Sequence, residues 1–272
     1  MIDAIVNKYK ETSRLIFKLN KWYVREGQTN AFANEYLLSR GFTKDICDFF
    51  GIGFAPSTSK TLEFLSMNQL PIDPFVEAGI IKKDYNLYDR FSERITFLIK
   101  DLFNNAVGFT GRVFQPHQEH LGKYVNSEAS FIFQKALLLY NLGNAIPFIT
   151  QKKYAVLVEG NADVVSLYKC GLRNVVSPGG TSLTEEQCKL LKIYTKNVII
   201  WYDNDEAGIK ALSRIVPLLQ NEQINCIVVN TMNLIPPQYY NHPSLPIKDP
   251  DDFVKLFGVQ HLDFIFSSYN FT

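Results

Sequence analysis

The sequence lacks long apolar runs and paired cysteines. Its longest apolar runs have five residues, as in 198–202, whereas a membrane-spanning helix needs about 20. No such helix is therefore predicted. The four cysteines are Cys47, Cys170, Cys188 and Cys226. Because none forms a CxxC pair, we expect buried or half-buried thiols rather than disulfides or a zinc finger. The first residues contain an acid and no apolar signal-peptide core, so a cytoplasmic protein is expected.

The sequence also lacks an excess of charge of either sign. Its 28 Lys and Arg and its 27 Asp and Glu give a formal net charge of +1. A protein that binds nucleic acid over its whole surface is usually strongly basic. If this chain binds a polyanion, a local patch must do so.

Residues 1–150 are predicted to form a mixed α+β lobe. Apolar residues three or four positions apart indicate helices, and runs of branched and aromatic residues around paired asparagines indicate a β-hairpin. The predicted helices extend to about Tyr23 and over 29–40 and 44–50, and the predicted strands cover 95–99, 107–114 and 123–125.

The rest of the chain alternates short apolar strands with helices. The predicted strands are 154–158, 175–176, 198–202 and 227–229, and the predicted helices are 161–170, about 184–194 and 207–219. This alternation indicates a parallel sheet covered on both faces. The fold class is therefore α/β, with a parallel four-stranded sheet flanked by helices in 151–258 and a short tail over 259–272.

Acidic residues follow the predicted strands at the positions where ligands bind in parallel α/β sheets. They are Glu159, Asp163, Asp203, Asp205, Asp249 and Asp251. Carboxylates that converge on one sheet edge repel one another unless a cation is bound. Magnesium suits such a site because it is a hard ion that takes oxygen ligands and keeps waters that a phosphate can displace.

Taken singly, each acid also has a purely structural interpretation. Asp163 and Asp205 lie near helix starts, where a negative charge interacts favourably with the helix dipole. Asp249 and Asp251 flank Pro250 and could belong to an ordinary turn. Three acidic pairs at the strand ends of one α/β unit favour the metal site.

A basic strip between Lys82 and Lys135 carries eight Lys and Arg against six Asp and Glu. Aromatic residues are interleaved with its arginines. This composition fits a groove in which bases stack and phosphates pair, and it fits equally well a half-buried sheet with a solvated basic face. Both interpretations stay open.

Two further features also have alternative interpretations. The glycine-rich segment 177–182 opens a predicted helix, so it could cradle a phosphate or make a tight strand-to-helix connection. Trp201 and Tyr202 are predicted to belong to the core rather than to stack on a ligand.

Several motifs resemble those of a known family. Residues 158–165 (VEGNADVV) resemble the first motif of the TOPRIM domain, and 202–208 (YDNDEAG) resemble the second. Asp249 and Asp251 resemble the acidic pair that closes this site in bacterial DnaG-type primases. Further segments follow in the order of the primase core: RGF at 40–42, GIGFAP at 51–56, YDRF at 88–91, ERI at 93–95, GRV at 111–113, KYVNS at 123–127 and LYNL at 139–142.

The resemblance implies a DNA primase, a nucleotidyltransferase that makes RNA primers for DNA replication on single-stranded DNA. It implies magnesium, with manganese as a possible substitute, and NTPs as substrates. The positions that match its catalytic residues are Glu159, Asp203 and Asp205, to which Asp163, Asp249 and Asp251 add further metal ligands. The positions expected to contact template or NTP are Arg90, Arg94, Arg112, Lys123, Tyr124 and Asn126.

The chain departs from the family at its ends. The family's N-terminal zinc-binding domain and C-terminal helicase-interacting domain have no counterpart in the sequence, and 236–246 looks like an insertion. We expect either a replicative helicase and a separate zinc-binding factor as partners, or a minimal primase of a phage or mobile element. The alternative functions are a TOPRIM nuclease and a non-catalytic adaptor that binds single-stranded DNA or a helicase.

Overall fold

A computed structural model describes residues 2–115, 118, 120, 122–180, 182–235, 247, 249–258, 260, 262–269 and 271. The chain divides into two compact units, Met1–Lys135 and Ala136–Thr272. The strand pattern of the sequence placed the domain boundary at residue 150, and the division in the structure lies before that residue. The predicted insertion at 236–246 lies outside the described residues.

The first unit combines helices with short antiparallel strands, as predicted. Its helices are α1 (Ile2–Thr29), α2 (Ala31–Ser39), α3 (Lys44–Phe50), α4 (Thr58–Met67) and α5 (Asp73–Glu77). Its strands are β1 (Ile52–Ala55), β2 (Ile81–Lys83), β3 (Leu87–Asp89), β4 (Arg94–Lys100), β5 (Ala106–Arg112) and β6 (Tyr124–Asn126).

The predicted hairpin forms the centre of the first unit. β4 and β5 pair antiparallel within a four-stranded sheet of order β1-β4-β5-β6. The turn between them is held by Asp101, whose Oδ1 accepts hydrogen bonds from the Phe103 and Asn105 amides, both at 2.8 Å. A carboxylate that accepts hydrogen bonds from backbone amides two and four residues later mimics a backbone turn. Asp101 therefore reverses the chain between β4 and β5.

Helix α1 packs directly on β1 because glycine allows the two backbones to meet. A Cβ added to Gly53 would lie 2.3 Å from the backbone carbon of Tyr23. The side chain of the same tyrosine makes a further contact, since its hydroxyl donates to Asp89 Oδ2 at 2.6 Å. The Asp89 carboxylate also accepts from Thr61 Oγ1 and the Phe91 amide, so it links α1, α4 and the segment after β3.

The second unit has the predicted alternation of strands and helices. Its helices are α6 (Leu142–Lys152), α7 (Asn161–Lys169), α8 (Glu185–Lys192), α9 (Glu206–Asn221), α10 (Pro250–Phe257) and α11 (Leu262–Ser267). Its strands are β7 (Ala155–Leu157), β8 (Val175–Val176), β9 (Asn197–Ile200) and β10 (Asn225–Val228).

The parallel four-stranded sheet is confirmed, with the order β10-β9-β7-β8. Trp201, just after β9, is fully buried, and its ring meets the edges of Phe253 and Phe266 at centroid distances of 5.4 and 5.9 Å. Its Nε1 donates to Thr231 Oγ1 at 2.9 Å. Trp201 and Tyr202 are therefore core residues, as predicted.

Several elements escaped the sequence patterns. Helices α4, α5, α6 and α10, strand β1 and the small sheet of β2 and β3 were not predicted, and α1 extends to Thr29. Pro147 lies inside α6, where proline normally argues against a helix. In the part of the chain that the structure describes, no helix combines the length and the apolar character needed to cross a bilayer.

Candidate functional site

Two of the predicted acids lie at one edge of the parallel sheet. Glu159 follows β7 and Asp203 follows β9, and these strands are parallel neighbours. The ladder continues past β9, since the Trp201 amide donates to the Leu157 carbonyl at 2.9 Å. The two loops are therefore held side by side where the strands end.

Tyr202 lies within the acidic field of these loops. Burial raises the pKa of its hydroxyl above the ordinary range, and the charges of Glu159, Asp163 and Asp203 raise it further. The phenol stays neutral at any physiological pH. A partly open cavity of about 220 Å³ lies beside it among the described residues, lined by Glu159, Gly180, Ser182, Tyr202, Ala211 and Ile215.

Asp163 joins the sheet edge to the start of α10. Burial raises the pKa of this carboxyl well above its usual range, and the charges of Asp203, Asp249 and Asp251 raise it further. Its Oδ2 accepts from the Gly160 amide at 3.1 Å, which opposes the shift. Carboxyl groups from three separate segments thus share one electrostatic environment.

Asp205 and Asp249 both begin helices. Asp205 Oδ1 accepts from the Gly208 amide at 2.9 Å at the start of α9, and Asp249 Oδ1 accepts from the Asp252 amide at 2.7 Å at the start of α10. Side-chain acceptors satisfy helix N–H groups that would otherwise lack a partner. Asp205 is exposed and turns its carboxylate towards its own helix, so its place in the site stays a prediction.

Asp251 is the most deeply buried of the predicted acids, at 1% exposure. Its Oδ1 accepts from Ser166 Oγ on α7, and its Oδ2 lies 2.8 Å from Lys255 Nζ one turn further along α10. A buried carboxylate is tolerated when hydrogen bonds and an opposite charge compensate it. The hydrogen bond from Ser166 also fixes α10 against α7.

Three carboxylates of the first turn of α10 lie close enough to share one ion. Oxygens of Asp249, Asp251 and Asp252 all lie within 4.8 Å of one another. Asp252 was not predicted as a ligand from the sequence. The available signal was its position, since it lies three residues after the N-cap and therefore on the same helical turn.

The predicted contact residues of the first unit separate into two groups. Arg90 and Arg94 form the first group, and both make hydrogen bonds within the first unit. Arg90 donates to the Asn126 carbonyl and forms an ion pair with Glu128, each at 2.7 Å. Arg94 is 9% exposed and donates to a loop carbonyl. Burial lowers its pKa, followed by the charge of Arg90. The Asn126 side chain accepts from Thr110 Oγ1. These contacts hold the sheet together.

Arg112, Lys123 and Tyr124 form the second group, with an aromatic partner that was not predicted. The Arg112 guanidinium lies 5.9 Å from the ring centroid of Tyr36 on α2 and 5.6 Å from that of Tyr124 on β6. Lys123 Nζ lies 6.0 Å from the Tyr124 centroid, and Tyr36 contacts Phe114. No local pattern could have indicated Tyr36, because it meets Arg112 only through the fold.

The glycine-rich segment connects β8 to α8. Gly180 has a φ of +75°, and its amide donates to the Glu159 carbonyl at 3.3 Å. A capping box formed by Thr184 and Gln187 begins helix α8. Thr181 lies outside the described residues. The segment therefore makes a strand-to-helix connection that braces the loop carrying Glu159, and phosphate binding there stays the alternative interpretation.

Comparisons with known proteins match both units. Residues 22–146 match the N-terminal domain of the DNA primase catalytic core, and residues 156–254 match a Toprim-like family. A DNA primase of Aquifex aeolicus is 35% identical over 235 residues, which are 86% of this chain and 44% of that protein. One of Halalkalibacterium halodurans is 37% identical over 83% of this chain and 36% of that protein.

Solved structures resemble nearly the whole chain. The zinc-binding and RNA polymerase domains of Aquifex aeolicus primase superpose with a TM-score of 0.83 at 32% identity, covering 97% of this chain and 62% of that one. A DnaG primase catalytic domain bound to single-stranded DNA gives 0.77 at 28% identity, covering 95% and 78%.

The fold and the acidic sheet edge define a primase-type catalytic core, in which an N-terminal core domain precedes a Toprim-like domain. Both domains of the DnaG-type primase catalytic core, the N-terminal core domain and the Toprim-like domain, are thus recognised in this chain. It spans less than half the length of the curated relatives described above.

Proposed function

We propose that this chain synthesises RNA primers on single-stranded DNA, using NTPs as substrates. In this reaction the 3′-hydroxyl of a ribonucleotide attacks the α-phosphate of the next NTP and pyrophosphate leaves. The observation that carries the proposal is geometric: Glu159 and Asp203 follow paired parallel strands, and oxygens of Asp249, Asp251 and Asp252 lie within 4.8 Å of one another. An array of this kind suits phosphoryl transfer because it can hold hard cations.

The residues present fit a divalent metal. Asp163 has a raised pKa partly because the charges of Asp203 and Asp249 lie nearby, so a bound cation relieves repulsion. All donors are carboxylate oxygens, which magnesium prefers and manganese also accepts. Magnesium would polarise the NTP phosphates, lower the pKa of the attacking hydroxyl and neutralise the leaving pyrophosphate.

The predicted ligands are Glu159, Asp163, Asp203, Asp205, Asp249 and Asp251, to which the geometry adds Asp252. For three of these residues, the surroundings indicate a role. Glu159 and Asp203 extend from rigid strand ends, where their carboxylates can orient the reacting groups. Asp251 is fixed by Ser166 and supports the more exposed carboxylates of its turn.

Template binding is assigned to the cluster of Tyr36, Arg112, Lys123 and Tyr124, which we call the aromatic–basic cluster. Lys123 and Tyr124, both exposed, offer a charge for a phosphate and a face for a base. Arg90, Arg94 and Asn126 then act by holding the sheet that carries this cluster. A replicative helicase and a zinc-binding factor are proposed partners, and the cytoplasm is the proposed location.

The proposal is tested by incubating the protein with a defined single-stranded DNA, labelled NTPs and either magnesium or manganese. We expect labelled products longer than one nucleotide. Asp203→Asn should lower incorporation by about 100-fold or more, the scale of losing one electrostatic group in an active site. The surface variant Asp84→Asn is the matched control, since Asp84 pairs with Lys82 at 3.4 Å in the first unit.

The other possible outcomes would indicate a different function. Shortening of the DNA without incorporation of NTP would identify a nuclease. Binding of DNA that is indifferent to metal and NTP, with no product, would identify an adaptor. Equal incorporation by the Asp203→Asn variant would refute the assignment of the acidic site.

A further inference from the structure

Lys255 reaches back into the acidic turn that begins α10. Its Nζ lies 2.8 Å from Asp251 Oδ2 and 3.3 Å from Asp252 Oδ1. These are two of the three carboxylates whose oxygens lie within 4.8 Å of one another. An ammonium group therefore already bridges part of the set of oxygens that would hold a metal.

The sequence spacing explains this contact. Residues three and four apart lie on the same face of a helix, so a lysine at 255 faces the carboxylates at 251 and 252. The field of Lys255 extends to the third member of the turn: burial raises the pKa of Asp249, and Lys255 opposes that shift. Lys255 thus offsets the repulsion of the whole turn.

A divalent cation bound by the same oxygens would lie within a few ångströms of this ammonium group. Like charges this close to each other repel strongly at the effective dielectric of a protein surface. Asp251 is buried and cannot withdraw, whereas the Lys255 side chain is 35% exposed and has a flexible stem. Lysine is therefore the partner that can move.

We propose that Lys255 is the internal counter-ion of the metal-free acidic turn, and that it leaves Asp251 and Asp252 when a divalent cation binds. This inference rests on the metal site of the proposed function. It assigns Lys255 a positioning role: the side chain keeps the carboxylates together before the metal arrives, and it lowers the affinity of the site for the metal.

The first experiment titrates the whole protein with manganese chloride by calorimetry and measures thermal unfolding in EDTA. Lys255→Met should bind manganese about tenfold more tightly than the wild type, because a partly exposed ion pair to a buried carboxylate no longer competes. Its melting temperature in EDTA should fall, and manganese should raise it by more than in the wild type.

Two variants serve as controls. Lys255→Arg keeps the charge and should restore both wild-type manganese affinity and wild-type stability in EDTA. Lys189→Met removes another lysine that pairs with an acid four residues away, Glu185 on α8, and should change neither. Unchanged or weaker manganese binding by Lys255→Met would overturn the inference.

A second measurement needs no variant. An amine-reactive ester, followed by mass spectrometry, reports how accessible each lysine is in the wild-type protein. Manganese should increase labelling of Lys255 severalfold and leave Lys189 unchanged. Equal or reduced labelling of Lys255 would overturn the inference even if Lys255→Met failed to fold.

The failure of this inference differs from that of the proposed function. If manganese binds neither the wild type nor Lys255→Met, the metal site itself is wrong and both ideas fall. If manganese binds, Asp203→Asn abolishes binding and Lys255→Met has no effect, only the role of Lys255 is wrong.

Discussion

Replacing Tyr36 by leucine tests whether the aromatic–basic cluster binds template as a unit. Tyr36 carries no charge, yet its ring lies 5.9 Å from the Arg112 guanidinium, which also lies 5.6 Å from the ring of Tyr124. We expect Tyr36→Leu to weaken binding of single-stranded DNA because Arg112 loses one of its two aromatic neighbours. The number of charges that meet the phosphates stays the same.

The size of the effect follows from the contact. A cation–π interaction at a partly exposed position contributes about 0.5–1 kcal/mol, which corresponds to a two- to fivefold loss of affinity, since 1.4 kcal/mol is tenfold. The salt dependence should not change. Arg112→Ala removes a charge, so the slope of log affinity against log salt should fall by about 0.7, the value for one phosphate contact on a single strand.

The assay is fluorescence anisotropy of a labelled single-stranded oligonucleotide over a series of salt concentrations. Tyr88→Leu is the matched control, because Tyr88 lies on β3 with Lys82 5.8 Å from its ring and has no assigned role in template binding. A change in slope for Tyr36→Leu, or affinity equal to the wild type, would refute the cluster as described.

Three further predictions concern the acidic loop and the two cores. Gly208→Ala would bring a Cβ within 2.0 Å of the Asp203 carbonyl oxygen, so the loop that carries Asp203 must shift. We expect about 100-fold less nucleotide incorporation, the scale of a 1 Å misplacement, with little change in DNA binding. Asp89→Ala leaves three buried donors without their acceptor and should lower the free energy of unfolding by on the order of 4 kcal/mol in urea titrations; a loss below 1 kcal/mol would contradict the assigned hydrogen bonds. Burial raises the pKa of the Cys47 and Cys188 thiols to about 12, so both should resist a disulfide reagent at pH 8 and react only after unfolding; rapid labelling of the native protein would contradict their burial.

The parts of the fold that could be predicted are those with local causes. The strands of the second unit are short apolar runs, two of which are followed by acids, and a parallel sheet brings their carboxyl ends to one edge whatever the remaining contacts are. The hairpin of β4 and β5 follows from a turn that Asp101 makes with its own neighbours. In each case residues within a few positions of one another determine the outcome.

The parts that could not be predicted depend on contacts between distant residues. Tyr36 meets Arg112 only because α2 lies beside β5 in the fold, and nothing in the sequence around Tyr36 marks it. Asp251 is separated from Ser166 by 85 positions, and this hydrogen bond explains why the acid is buried. Arg90 and Arg94 looked like ligand contacts because their charge suggested exposure, but the fold engages both internally.

The structural and functional interpretations of the acids turn out to be compatible. Asp205 and Asp249 cap helices, and Asp163 accepts a bond from the residue before α7. A cap fixes a carboxylate through one oxygen and leaves the other available to a ligand. Because the bonded amides come from the backbone, this positioning persists when the metal is absent.

The carboxylates of the acidic site are therefore held in place before a metal binds. The free energy that this arrangement costs comes from repulsion between their charges and not from ordering the chain. The helix ends at α7, α9 and α10 supply partial positive charge to the carboxylates, and Lys255 supplies a full charge to the turn of α10. Repulsion that remains, seen in the raised pKa of Asp163, is what a divalent cation relieves. Metal binding should therefore raise the melting temperature without changing the helix content, and circular dichroism in EDTA and in magnesium separates these two quantities. Helix gained on adding magnesium would mean that the ion builds the site instead of occupying it.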